Sequence, residues 1–395
     1  MKRIYLYPIK SILSNDYLIS KDSEELINKL KQLNPPIEFK IVNDFFHKDG
    51  LFLILVQSGG SENYFKEHIF SSFAGPYYLL TYGSCNSLAA SLEILTFIKQ
   101  NNRCGEVLHG NVSYINNRIR SLIDIKQIKH DYLGIIGKPS DWLISSDVDY
   151  QKCLDKFGLE LIDIDEKEVI DVFNSIENVK ETDFDFDKNE LSKALRLKEA
   201  LQIIIDKYHL KGITIRCFDL LSKIKTSACM SLALLNDLGI TSICEGDIPS
   251  LISAHLVNNL LDTLSFQANP QYIDPANNII EFAHCTIPFK MCRKYNLDTH
   301  FESNSAVGIH GEMKITNVTV YKINSELNEF YVSEGVILNN DYRRDRCRTQ
   351  IRIQLDSSVN YFLKSSLGNH HLIIYGNHKE EIKNYFESFG LREVV

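Results

Sequence analysis

Two short stretches carry residue types that hold divalent metal ions. Cys244-Glu245-Gly246-Asp247 places two carboxylates two residues apart, and Leu367-Gly368-Asn369-His370-His371 places two imidazoles side by side. The first follows Ser242-Ile243-Cys244, a short strand pattern, and opens a helical one. The second leads into Leu372-Ile373-Ile374-Tyr375, another strand. Oxygen-plus-imidazole ligation suits manganese or magnesium better than a thiolate-bound zinc. Each residue also has a plainer reading. Asp247 is well placed as a helix N-cap, a role worth about 1 kcal/mol. Glu245, beside apolar Cys244 at the end of a strand, is a charge in need of a partner, and a metal ion is one. His284 interrupts the run Ile279-Ile280-Glu281-Phe282-Ala283, where an imidazole is either a satisfied core group or a ligand. Adjacent strand residues face opposite ways, so only one of His370 and His371 easily enters a given site.

The elements that must position these groups alternate strand and helix over the first two thirds of the chain. Ile4–Ile9, Leu51–Gln57 and Tyr77–Tyr82 are apolar runs of strand length, the last two continuous, as in strands buried on both faces. Ser23–Leu33 and Leu88–Gln100 have helical spacing, the second with Ser84-Cys85-Asn86-Ser87 as capping residues. A second series begins near Asp131. Its strand Leu133–Gly137 runs into the loop Lys138-Pro139-Ser140-Asp141-Trp142, the kind of position where ligands bind in open parallel sheets. Trp142 serves either to close a core or to stack on a sugar. Glu190–Tyr208 reads as a long helix capped by Asn189, Gly212–Phe218 as a strand delivering Arg216, and Pro249–Leu261 as the helix after Glu245. Beyond about residue 263 the pattern becomes strands joined by Gly, Asn and Asp turns: Ile279–Ala283, Met313–Lys322, Glu329–Ile337, Thr349–Leu355 and His371–Gly376. The sequence therefore predicts an α/β protein. Two doubly wound parallel-sheet domains, 1–130 and 131–262, precede a C-terminal β-rich, barrel-like domain, 263–395.

Composition narrows the function classes. A chain of 395 residues is too long for one ordinary core. A net charge of −8 argues against nucleic acid, which needs a basic face. Nine cysteines without a C-x-x-C read as reduced thiols in a cytoplasmic protein. No apolar run approaches the ~18 residues that span a membrane, and the N-terminus reads as a first strand, not a signal peptide. Glycine-rich nucleotide loops, a G-x-S-x-G elbow and an H-E-x-x-H helix are all missing.

Taken in order, several pieces resemble the L-fucose isomerase-like proteins, relatives of L-fucose and L-arabinose isomerases. They are Asn86-Ser87-Leu88, Gly137-Lys138-Pro139-Ser140-Asp141-Trp142-Leu143, Arg216-Cys217-Phe218-Asp219, Cys244-Glu245-Gly246-Asp247, Phe282-Ala283-His284-Cys285 and Gly368-Asn369-His370-His371. The resemblance implies a metal-dependent aldose–ketose isomerase using Mn2+ or another divalent ion such as Mg2+. Its substrate would be a pentose, a deoxyhexose or a derivative, and its chemistry ene-diol proton transfer. Glu245 resembles the family's metal-binding glutamate and His370 its C-terminal histidine. His284 resembles a further histidine of the arabinose isomerase site. Where the family has a second carboxylate, this chain has Asn269, so one base is missing and the site is one charge poorer. Asp247 compensates, or the chemistry differs. A homo-oligomer is implied as well.

The expected roles follow. Glu245 is metal ligand and base, with Asp247 and Asn269 in the catalytic set and His370 and His284 as further ligands. Arg216, Ser140, Asp141, Asn369 and His371 face a small-molecule sugar, and a sulfonated or phosphorylated sugar would find its cation in Arg216. The site is expected in the cleft between the second and third domains. Two other readings stay open: a carbohydrate-binding protein that has lost catalysis, and a metal-dependent lyase acting on a sugar.

Overall fold

A computed structural model describes residues 3–13, 16–34, 37–45, 50–73, 75–101, 103–124, 130–180 and 182–395. Contacts divide the chain into two compact units, Met1–Ile125 with Asn384–Arg392, and Lys126–Lys383 with Glu393–Val395.

The first unit is built on five parallel strands: β1 (Arg3–Ile9), β2 (Glu38–Ile41), β3 (Leu51–Val56), β4 (Tyr77–Leu80) and β5 (Gly105–Leu108), in the order β2-β1-β3-β4-β5. Every residue of β4 is buried, which matches its unbroken apolar run. Leu26, Leu30, Ile115 and Ile119 from two helices cover Leu6, Leu53 and Leu80 on one face. Ala90, Ile94 and Ile98 cover Ile54, Val56 and Leu79 on the other. This is a doubly wound sheet, as the alternation of elements predicted. The helix Ser87–Gln100 is not capped as expected. Asn86 sits in the left-handed region and makes no side-chain cap. Ser87 Oγ accepts instead from the Thr81 hydroxyl at 2.7 Å and the Gly83 N–H at 3.1 Å.

The second unit begins with four parallel strands: β6 (Asp131–Ile136), β7 (Leu159–Ile164), β8 (Gly212–Ile215) and β9 (Thr241–Cys244), in the order β7-β6-β8-β9. The long helix Lys188–Tyr208 packs Leu197, Leu201 and Ile204 into the core of this sheet. Its cap is Asp187, whose carboxylate accepts the Asn189 and Glu190 N–H groups at 3.0 Å each, so Asn189 lies inside the helix. A carboxylate two residues earlier reaches the free N–H groups that Asn189 was expected to serve.

The same unit continues into strands β10 (Phe266–Asp274), β11 (Ile279–His284), β12 (Cys292–Thr299), β13 (Val307–Met313), β14 (Asn317–Ile323), β15 (Glu329–Asn339), β16 (Thr349–Leu355) and β17 (His371–Tyr375). Six of them run β14-β17-β10-β11-β16-β15, and β14 pairs back to β15. The antiparallel sheet therefore closes into a barrel, the arrangement that leaves no open edge. Phe266, Phe282, Val320, Ile353 and Ile373 belong to its core. β12 and β13 form a separate two-stranded ribbon. The run expected as one strand, Met313–Lys322, is two, because residues 314–316 bend between β13 and β14. Gln267, Asn269 and Pro270 interrupt the apolar pattern of β10.

Candidate metal centre

β9 ends at Cys244, and the chain then makes a tight left-handed turn. Glu245 has φ 65° and Gly246 φ 69°. A non-glycine residue in this region costs of order 1–3 kcal/mol, and such strain collects at functional sites. Gly246 is required for a second reason. A Cβ there would lie 2.9 Å from the Lys138 carbonyl oxygen and 3.0 Å from the Ser140 nitrogen. The turn thus lets the 138–142 loop settle directly on the Glu245 segment.

β9 is the edge strand of its sheet, and Gln267 on β10 holds that edge. Gln267 Oε1 accepts the Cys244 N–H at 2.8 Å, and Nε2 donates to the Cys244 carbonyl at 3.2 Å. One side chain stands in for a neighbouring strand immediately before Glu245. The Cys244 thiol turns into the core, with its Sγ 3.2 Å from Cys217 Sγ. That contact and burial push it well up, so it offers no ready thiolate.

Glu245, His284 and His370 converge, with one donor atom from each lying within 4.8 Å of the others. Glu245 Oε1 is 3.6 Å from His284 Nε2 and 3.6 Å from His370 Nε2. Both nitrogens are buried and have no hydrogen-bond partner. A separation of 3.6 Å is long for a hydrogen bond and matches two donors each about 2.0–2.2 Å from one ion. Among the described residues no other trio of His, Cys, Asp or Glu converges this tightly.

The two imidazoles are held differently. His370 donates from Nδ1 to Asp247 Oδ2 at 2.9 Å, which turns Nε2 toward Glu245. Asp247 is itself held on three sides. Its Oδ1 caps the helix Ile248–Leu261 by accepting the Ser250 N–H at 2.8 Å, and its Oδ2 also accepts from Lys322 Nζ at 3.0 Å. Lys322 is 2% exposed and donates as well to Ser250 Oγ at 3.1 Å. Asp247 is therefore both the N-cap and the carboxylate that orients His370. On His284, Nδ1 accepts the Cys285 N–H at 2.9 Å and lies 2.9 Å from Thr286 Oγ1. An accepting Nδ1 puts the proton on Nε2, toward Glu245.

Charge balance follows from these contacts. Burial alone would raise the Glu245 carboxyl, but His370 and His284 hold it well below the usual carboxylate range. Burial likewise opposes ionisation of Asp247, and Lys322 with His370 overrides it. Burial pulls the His370 imidazole down, yet Glu245 and Asp247 outweigh it and push it up to about 9. A metal ion bound here would displace that proton.

Asn269 lies on β10, between the strands that carry the two histidines. It pairs in register with Ala283, next to His284, and Ala268 pairs with His371, next to His370. Its Oδ1 is buried and without a partner. Trp142 comes over from the 138–142 loop, and its Nε1 donates to Glu245 Oε2 at 3.3 Å. The indole meets Phe218 edge-on, and Phe218 meets His300. His300, which reads from sequence as loop surface, is 6% exposed and bonded to Ser303 and Glu302. Arg216 lies 5.7 Å from the Trp142 ring and grips Asp141 with two N–H groups. Ser140 is buried, and Asn369 is exposed. His371 turns the other way, into the barrel, where it bonds Tyr361 Oη at 3.0 Å among Phe282, Phe362 and Tyr331. The structure thus brings together Glu245, Asp247, His284 and His370, and sets His371 apart from them. Lys322 and Gln267 escaped the sequence reading because each is a single polar residue inside a strand pattern. A surface hollow of about 400 Å3, lined by Asp131, Lys211, Thr241 and His255, lies at the amino-terminal ends of β6 and β9, away from Glu245.

No protein-family model matches the chain. Two proteins are similar to it. One, named sulfoquinovose isomerase, from Alkalicoccus urumqiensis, is 21% identical over 336 residues, covering 78% of this chain and 75% of the relative. The other, of the same name, from Clostridium sp. (strain MSTE9), is 25% identical over 207 residues, covering 48% of this chain and 44% of the relative. The likeness is to sugar isomerases, and neither of these relatives is named for fucose or arabinose.

Proposed function

We propose that the chain is a metal-dependent aldose–ketose isomerase, with Glu245, His370 and His284 as donors for one divalent ion of the manganese or magnesium class. The observation that carries this reading is the convergence of Glu245 Oε1 with two buried imidazole nitrogens that have no other partner. The distant likeness to sugar isomerases supports the reaction class.

A bound ion would supply Lewis acidity to the adjacent carbonyl and hydroxyl oxygens of an open-chain sugar and acidify the C–H between them. Glu245, kept ionised by its imidazole neighbours, is the base that takes the proton from C2 and returns it to C1. If both transfers take place on one face of the ene-diol, a single carboxylate serves for both. Asn269 in place of an acid is compatible with this, and its Oδ1 offers a neutral oxygen to the ion or to a substrate hydroxyl. His284 becomes a ligand through Nε2 in the tautomer that gives up the Cys285 N–H and donates from Nδ1 to Thr286 Oγ1. Asp247 fixes the His370 ring, and Lys322 fixes Asp247. Trp142 covers Glu245 with an apolar ring that helps exclude water. Both relatives are named for sulfoquinovose, so a sulfonated hexose is the first substrate to offer.

The test is incubation with sulfonated and neutral aldoses plus Mn2+ in D2O, followed by NMR. The proposal expects ketose formation with deuterium entering at C2 of the recovered aldose, and loss of both in Glu245→Gln. Two smaller fragments would point instead to a lyase, and binding without conversion to a carbohydrate-binding protein.

A further inference from the structure

We propose that Arg216 seats an anionic substituent at the far end of the substrate, and that Asp141 is the protein's own stand-in for that group. The inference rests on the sugar-processing reading of the Glu245 site and names its substrate class. Arg216 stands just beyond the carboxyl end of β8, with its side chain 17% exposed. Nε pairs with Asp219 at 2.7 Å, which leaves the two terminal nitrogens facing the 138–142 loop. These donate to the two Asp141 oxygens at 3.1 and 2.5 Å, and one also reaches the Pro139 carbonyl at 3.3 Å. Asp141 is 82% exposed on its side chain. With Asp141 this open to solvent the pair is screened, so a ligand anion exchanges with Asp141 at small cost.

The shape of the exchange is set by the guanidinium. Its planar fork binds two oxygens of a carboxylate, and two oxygens of a sulfonate or phosphate fit the same fork. The position is set by Trp142. Its ring lies beside the Arg216 guanidinium while its Nε1 touches Glu245. A sugar lying across the indole therefore has its reacting carbons at Glu245 and its last carbon near Arg216. In a chain with net charge −8, an anionic substrate needs such a local cation.

Trp142 is the chain's single tryptophan, so its fluorescence reports binding here without turnover. Wild type, Arg216→Gln, Arg216→Lys and Asp141→Asn would be titrated with 6-deoxy-6-sulfo-D-glucose, D-glucose 6-phosphate and D-glucose. Arg216→Gln should weaken at least one anionic sugar by about tenfold or more and leave D-glucose within about twofold. Arg216→Lys, which keeps the charge and loses the fork, should fall between. Asp141→Asn should tighten the same anionic sugar, because its competitor is gone. Response to one anion or to both tells sulfonate from phosphate. Equal changes for charged and neutral sugars, or no change in any variant, would overturn the proposal. Because the readout is binding, Arg216-dependent binding without conversion sinks the isomerase reading and spares this one. Turnover without Arg216 dependence does the reverse.

Discussion

Replacing Asp247 by Asn tests the buried array behind His370. The substitution keeps the helix cap, because Asn is as good an N-cap as Asp. It removes the negative charge that faces Lys322 Nζ at 3.0 Å and His370 Nδ1 at 2.9 Å. Asp247 is 1% exposed and Lys322 2%, so no water replaces the lost partner. Breaking one half of a buried pair in this way costs about 3–5 kcal/mol. For a unit of this size that is a drop of roughly 6–20 °C in the melting temperature. Lys322→Met alone should also destabilise, since it leaves Asp247 buried with fewer partners. The double variant should recover much of the loss, because it leaves neither charge buried without its partner. The assay is calorimetry on the metal-free protein for the four members of the cycle, followed by manganese titration. The cycle should give a coupling above about 1 kcal/mol, and Asp247→Asn should weaken the ion by about 10–100-fold. Costs that add to within about 0.5 kcal/mol would mean Lys322 and Asp247 do not act together, and the positioning of His370 would need another source.

Two further outcomes follow from the same contacts. Gln267→Leu strips both hydrogen bonds from the Cys244 backbone, each worth about 1–3 kcal/mol when left unmade. Faster amide exchange at Cys244 and weaker ion binding are expected, and unchanged exchange would remove Gln267 from the support of Glu245. His371 is held by burial at about 3, below its ordinary 6.5. The unfolded chain takes up that proton as pH falls through 6.5 and the folded one only near 3, so stability is full above 6.5 and is lost across that window. The slope is up to about 1.36 kcal/mol per pH unit. His371→Gln should flatten the decline in urea midpoint between pH 6.5 and 4, and parallel curves would refute a buried neutral His371.

Much of the architecture was legible because hydrophobic period and element length carry it. β4 and β9 read as strands and lead into the helices that follow them, and the change after residue 263 marked the switch to an antiparallel barrel. Glu245 and His370 stood out as charges beside apolar runs at strand ends. What stayed hidden depends on contacts distant in sequence. Nothing local says that Glu245 adopts a left-handed backbone, that Gly246 must admit the 138–142 loop, or that Gln267 braces β9. Lys322 shares the strand face of Val318 and Val320 in β14, and nothing local says that its ammonium meets Asp247 at the start of the Ile248–Leu261 helix. The adjacent histidines followed the alternation of a strand, one toward Glu245 and the other into the barrel.

The most direct measurement is metal content after manganese loading and desalting, for wild type beside Glu245→Ala and His370→Ala. One divalent site built on these residues predicts about one ion per chain in wild type and little in either variant, with both variants still folded. A wild type that retains no ion, or variants that retain it fully, would contradict the metal centre and leave a sugar-binding protein as the better description.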